Sequence, residues 1–186
     1  MSTYNLDRLF NPKHVAVIGA SEKPGSVGSA IMKNLLSGNG KYQVFPVNPG
    51  HKKLFARPCV AGIQEIEAPV DMAVIATPIR MVPDLVDGCG KKGVAGAVVV
   101  SSGGRETGAG GQAIEEQILA AARKTDLRII GPNCLGIINT AISLNASFAH
   151  LAPLSGSIAF LSQSGAVCTS VLDLALRKNV GFSHFV

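Results

Sequence analysis

The sequence predicts a doubly wound α/β fold, a parallel sheet with helices on both faces, followed by the start of a second α/β unit. Three observations carry that expectation. Short, continuous apolar runs alternate with amphipathic stretches of helical length, as strands buried on both faces require. Most of these runs end in turns rich in glycine, proline or serine. The 21 glycines, the absence of Trp and the 5% aromatic content suit a sheet with many tight turns.

Residues 4–10 read as a lead-in of one or two helical turns, stopped by Asn11-Pro12. His14–Ile18 is the first strand, and Gly19 ends its apolar run. Residues 20–28 are small and polar. A helix over 26–37 places Ile31, Leu35 and Leu36 on one face and stops at Gly38-Asn39-Gly40. The second strand, Gln43–Val47, closes on Asn48-Pro49-Gly50 and a basic segment, His51-Lys52-Lys53. A short helix over 62–67 precedes a third strand at 72–76. Thr77-Pro78 opens a helix to about Gly90, with Pro83 in its first turns. The fourth strand, 95–100, runs into Ser101-Ser102-Gly103-Gly104-Arg105. A helix over 110–124 and a fifth strand, Arg128–Ile130, complete a first domain at 1–130.

From Gly131 the periodicity fades, and 131–156 reads as a connection. The pattern restarts with a strand at 157–161, a small polar turn Ser162-Gln163-Ser164-Gly165, a helix over 166–178 and a strand at 181–186. One βαβ unit cannot bury both its faces. The chain therefore reads as a fragment of a longer protein, or as one whose last unit, 157–186, leans on the first.

Ligands of such sheets bind beyond the carboxyl ends of the strands. The loops 20–28, 48–53, 77–79 and 101–106 meet at that edge. The first leads without bulky side chains to a helix start, whose free N–H groups and positive dipole end suit a phosphate. NAD fits poorly: the loop runs G-A-S-E-K-P-G-S-V-G rather than G-x-G-x-x-G, and Asn48 stands where a dinucleotide site holds an acid. The lysine-bearing P-loop pattern is absent. The bases after the second strand suit an extra phosphate near a ribose. Coenzyme A carries one at its 3′ position beside a pyrophosphate, and Thr77-Pro78 and 101–104 suit its pantetheine arm. NADP stays open on charge alone, which keeps an NADP-binding oxidoreductase domain as an alternative reading.

The net charge of +5 is spread without a run of five like charges, so no nucleic-acid arm is expected. Cys59, Cys89, Cys134 and Cys168 form no CxxC pair, which speaks against a metal or redox motif and for reduced cytosolic thiols. There is no apolar signal core and no run long enough to span a bilayer, so a cytoplasmic location without a membrane partner is expected.

VAVIGASEKPGSVGSAIMKNL, FPVNPG, AVIATP, VVVSSGGRE, IIGPNCLGI and IAFLSQSGAV follow one another in the order seen in NDP-forming acyl-CoA synthetases. The chain resembles the CoA-binding domain and the start of the next domain of that family's ADP-forming acetyl-CoA synthetases. It is more distantly similar to the α subunit of succinyl-CoA synthetase. The resemblance implies a Rossmann-like first domain and the beginning of a flavodoxin-like ligase domain. It implies that acyl-CoA, phosphate and ADP give acid, ATP and CoA through a phosphohistidine. CoA or a small acyl-CoA would be held by Gly19, Ser21, Gly25, Ser26, Val27 and Gly28, by Lys52 after the second strand, and by Thr77, Pro78, Ser101, Ser102 and Gly103. His51 takes the place of a lysine seen in the succinate enzyme.

Asn133, Cys134, Ser162, Ser164 and Gly165 would meet the phosphate or phosphohistidine, with Ala166 replacing a hydroxyl residue of the succinate enzyme. Cys134 reads as a packed thiol rather than a nucleophile. None of His14, His51, His150 and His184 has the phosphohistidine's context. No catalytic residue and no metal site is therefore expected here, and the fragment would bind CoA without turning over alone. ADP, ATP and Mg would bind through an ATP-grasp domain or subunit outside this chain, in an oligomer. An alternative that the resemblance leaves open is the CoA-binding regulatory region of a GNAT protein lysine acetyltransferase, since the same region also occurs fused to a GNAT domain, where it is often regulatory. Gly28→Val is expected to abolish CoA binding while sparing the fold.

Overall fold

Hydrophobic alternation at period two divides each buried strand between two faces, and both faces here are covered. The computed structural model describes residues 3–186, so the first two residues of the expected first domain lie outside it. A short helix α1 (Leu6–Phe10) precedes β1 (His14–Ile18), α2 (Val27–Ser37) and β2 (Gln43–Val47). A small hairpin, β3 (Lys53–Leu54) and β4 (Arg57–Pro58), leads to a 3₁₀ turn at Ile63–Glu65. Then come β5 (Met72–Ile75), α3 (Val82–Lys91), β6 (Gly96–Val99), α4 (Ala109–Arg123) and β7 (Arg128–Ile130).

These strands form one parallel sheet in the order β2-β1-β5-β6-β7. The order turns outward from between β1 and β5, which is the switch point where such sheets open a crevice. Ile18 pairs with Val47 on one side and Ile75 on the other, so three loops leave the edge level with one another. Val15, Val17, Met72, Val74 and Val98 face α2 through Ile31, Met32 and Leu35. Ala16, Ile18, Ala73, Ile75, Ala97 and Val99 face α3 and α4 through Val82, Val86, Ile118 and Ala121. Each large side chain so buried contributes about 1.5–3 kcal/mol.

The stretch 131–156 carries more structure than its sequence suggests. It holds β8 (Gly136–Asn139) and β9 (Leu144–Ser147), an antiparallel hairpin. With β10 (Leu154–Phe160), α5 (Gly165–Arg177) and β11 (Gly181–Phe185) it builds a second sheet, β10-β11-β8-β9. β10 and β11 are parallel, while β8 runs antiparallel to β11. Four-residue strands that include Asn139 and Asn145 are too short and too polar to show a period. Ile137, Leu144 and Ala146 nevertheless pack into the α2 side of the first core. The Asn34 amide, on α2, donates to the carbonyls of Ser147 (2.8 Å) and Ala149 (2.9 Å). The β3–β4 turn was equally illegible, because Phe55 and Ala56 take positive φ values (50° and 57°) without the usual Gly or Asn.

Candidate functional site

The glycine loop is built from its ends inward. Gly19 leaves β1 at φ 90°, a conformation that glycine adopts without penalty, and its amide donates to the Val47 carbonyl at 3.0 Å. A Cβ on Gly28 would collide with the Gly19 carbonyl, so α2 lies directly on the turn. Ser26 is the α2 N-cap: its hydroxyl accepts from the Ser29 amide (3.2 Å) and donates to the Lys23 carbonyl (2.9 Å). The Val27 and Gly28 amides take no partner among the described residues. They stand at the positive end of the helix, where an anion is favoured. The Ser21 hydroxyl accepts from the Lys23 amide (3.0 Å), and Gly25 sits in open space at φ 78°. The expectation that Gly28→Val spares the fold is thus corrected: the valine would strike backbone, and the turn itself would have to move.

Asn48 explains the missing acid. Its side-chain amide donates to the Ala20 carbonyl (2.8 Å) and its oxygen accepts from the Gly50 amide (2.9 Å). A carboxylate there would face the Ala20 carbonyl with no proton to give. The position works as a tie between two loops. Glu22 makes a second tie, accepting from the Phe55 amide at 2.6 Å and drawing the β3–β4 hairpin onto the glycine loop. Neither tie was legible in advance, since each joins loops distant in sequence. Lys52 lies exposed between β2 and that hairpin.

The other expected residues form a row along the same edge. A Cβ on Gly19 would come within 2.5 Å of the Ala76 oxygen and 3.1 Å of Thr77 Cγ2. Thr77 Oγ1 is buried without a partner, and Pro78 beside it is exposed. Gly103 packs against Ile79, and Ser101 is buried, its hydroxyl 3.5 Å from the Ile75 carbonyl. Ser102 is exposed at the edge. The Asn133 amide donates to the Ser101 carbonyl at 2.9 Å, which brings the two expected groups of residues together. Cys134 donates its thiol to the Val99 carbonyl at 3.2 Å. Burial pushes that thiol up to about 11, with a smaller push from Cys168, so it is a packed thiol and not a nucleophile at neutral pH.

Cys168 in turn lies beside Ser162, whose hydroxyl opposes the upward push of burial on its thiol. Ser162 accepts from the Ser164 amide (3.1 Å), and Ser164 caps α5 by accepting from the Val167 amide (3.4 Å). The Gly165 and Ala166 amides take no partner among the described residues. Pairwise contacts therefore lead from the α2 start through Gly19, Thr77, Gly103, Asn133 and Cys134 to Cys168 and Ser162 at the α5 start. A hollow of about 630 Å³ lies elsewhere, between α4 and β7, and contains none of these residues. Among the described residues no group of His, Cys, Asp or Glu could hold a metal ion, and no helix is long and apolar enough to cross a membrane.

A doubly wound sheet with its strand-order switch beneath a glycine turn and an open helix start defines a domain of the nucleotide-binding class. The known proteins that match it narrow this. A family model for a CoA binding domain matches residues 13–140, and one for a succinyl-CoA ligase like flavodoxin domain matches 155–186. The chain belongs to the CoA binding domain family. It is 46% identical over 97% of its length to an ADP-forming acetate–CoA ligase I of Archaeoglobus fulgidus. It is 41% identical over 98% of its length to the α subunit of an ADP-forming acetate–CoA ligase I of Pyrococcus furiosus. It spans 26% and 40% of those two relatives. An acetyl-coenzyme A synthetase 1 from Ca. Korarchaeum cryptofilum, solved with phosphate and ADP, superposes with a TM-score of 0.93 at 40% identity. That match covers 97% of this chain and 39% of the other.

Proposed function

We propose that this chain is the CoA-binding part of an ADP-forming acid–CoA ligase. The observation that supports the reading is the succession of contacts that links the glycine turn under the open α2 amides to Thr77, Ser101–Gly103, Asn133 and Cys134, and through Cys168 to Ser162 before α5. A long ligand with anionic groups at one end and a reactive group at the other matches that succession. In this reading the diphosphate meets the amides of Val27 and Gly28, with Gly19, Ser21, Gly25 and Ser26 shaping the loop. Lys52 faces the 3′-phosphate. Thr77, Pro78, Ser101, Ser102 and Gly103 line the path of the pantetheine arm.

At the far end Asn133, Ser162, Ser164 and Gly165 receive phosphate or a phosphohistidine that belongs to another part of the protein, with the packed Cys134 behind them. Their role is electrostatic: capped amides at a helix start favour a dianion without reorganising. The complete reaction converts acyl-CoA, phosphate and ADP into acid, ATP and CoA. Its ADP and Mg sites lie on an ATP-grasp domain or subunit, in a cytoplasmic oligomer. The CoA-binding domain occupies 1–130, and a ligase domain starts at 157.

Calorimetric titration with CoA and with dephospho-CoA, which lacks the 3′-phosphate, tests the reading. The wild type is expected to bind both and to prefer CoA. Lys52→Ala is expected to weaken CoA about fivefold, as loss of one exposed phosphate contact should, and to leave dephospho-CoA unchanged. Absence of CoA binding at low salt, or saturable binding of NADPH instead, overturns it.

A further inference from the structure

The loop 101–108 is held from behind by a side chain that no part of the site reading uses. Glu115, in the second turn of α4, is buried although acidic, with 8% of its surface exposed. One carboxylate oxygen accepts from the Arg105 amide at 2.8 Å, and the other pairs with Arg105 Nε at 2.6 Å. The Arg105 amide, then burial, then the guanidinium act on this carboxyl, and the net effect holds it below the usual glutamate range.

Glycine is required on both sides of the contact. A Cβ on Gly104 would collide with the Glu115 carboxylate, and one on Gly111 would collide with the Gly104 carbonyl. That same carbonyl accepts from the Thr107 hydroxyl at 2.8 Å. Glu106 closes the loop from its outer side, accepting from the Gly103 amide at 2.7 Å. The loop is thus braced by its own side chains and by Glu115 of α4.

We infer that Glu115 is a positioning residue that presets Ser101–Gly103 for the pantetheine arm of CoA, an inference that rests on the CoA reading above. It touches no ligand itself. Its contacts are with Gly104 and Arg105, so it acts through the 101–108 loop.

The test is calorimetric titration of the intact protein with CoA and with adenosine 3′,5′-bisphosphate, which lacks the arm. Glu115→Ala is expected to weaken CoA about tenfold through lost preorganisation. Glu115→Gln keeps an acceptor for the Arg105 amide and loses the ion pair, and is expected to cost about threefold. Neither variant is expected to change the affinity for the bisphosphate. If Glu115→Ala does not fold, the Gln variant decides alone. Wild-type CoA affinity in a folded variant, or equal weakening of both ligands, overturns the inference. Failure of the wild type to bind CoA at all overturns instead the reading on which it rests.

Discussion

At position 28 the chain has room for a hydrogen atom and nothing larger. The Gly19 carbonyl occupies the place a Cβ would take, and Gly19 cannot retreat because it lies against Ala76, just past the end of β5. Gly28→Val is therefore expected to cost about 3 kcal/mol as overpacking against backbone, along with any CoA binding. Gly25 provides the contrast: its φ is positive but the surrounding space is open, so Gly25→Ala is expected to cost only about 1 kcal/mol. Thermal unfolding of the two variants measures the difference, and equal midpoints would mean that α2 does not rest on the turn. Asn48 teaches a related lesson at the same scale. Its identity excluded an acid from the sequence alone, but its work as a donor to Ala20 needed the fold to bring the two loops together.

Single elements are held to the sheet by a few polar braces at the edge away from the site. Asp71, just before β5, accepts from Arg8 Nε (2.9 Å) and from the amides of Lys13 (2.9 Å) and His14 (3.1 Å). It thereby fastens α1 and the start of β1. Burial pushes its carboxyl up, but these donors outweigh burial and hold it below its usual range. A carboxyl with a depressed folded pKa contributes stability above its unfolded value, about 4, and loses that contribution as pH falls through the folded value. Asp71→Ala is expected to lower stability at pH 7 by about 3 kcal/mol. The gap from wild type should narrow below about pH 4, as followed by urea unfolding at several pH values. A gap independent of pH would show that the carboxylate charge is not what holds α1.

The legibility of elements follows the same physics. Strands buried on both faces, such as Met72–Ile75 and Gly96–Val99, announce themselves as apolar runs. Helix α2 announces itself by its N-cap and its spacing. The hairpins do not, because β3–β4 turns through Phe55 and Ala56, and β8–β9 interrupts its apolar residues with Asn139 and Asn145. Within the site, the glycine turns were visible because the backbone must come close there. The carboxylates behind them were not, since nothing in a helix such as α4 marks Glu115 as the residue that faces a loop ten positions earlier.

Over the whole molecule, α2 is the shared member. One face lies on the parallel sheet, Asn34 on another clasps β9, and its first turn opens towards the candidate site. Asn139 adds a second clasp, donating to the Phe10 carbonyl (2.9 Å) and to Asn11 Oδ1 (3.1 Å). The hairpin 136–147 is thus continuous with the first core as well as with the second sheet.

β10 is the opposite case. It sits at the margin of its sheet with one neighbour, and Leu154 and Ile158 are 43% and 49% exposed. Among the described residues its outer row of peptide groups has no ladder to join, and bare strands of this kind recruit copies of themselves. The consequence is colloidal: the 186 residues handled alone should scatter light increasingly with concentration. Ile158→Lys should suppress that scattering while leaving the unfolding free energy within about 0.5 kcal/mol of wild type, since the side chain lies outside every core cluster.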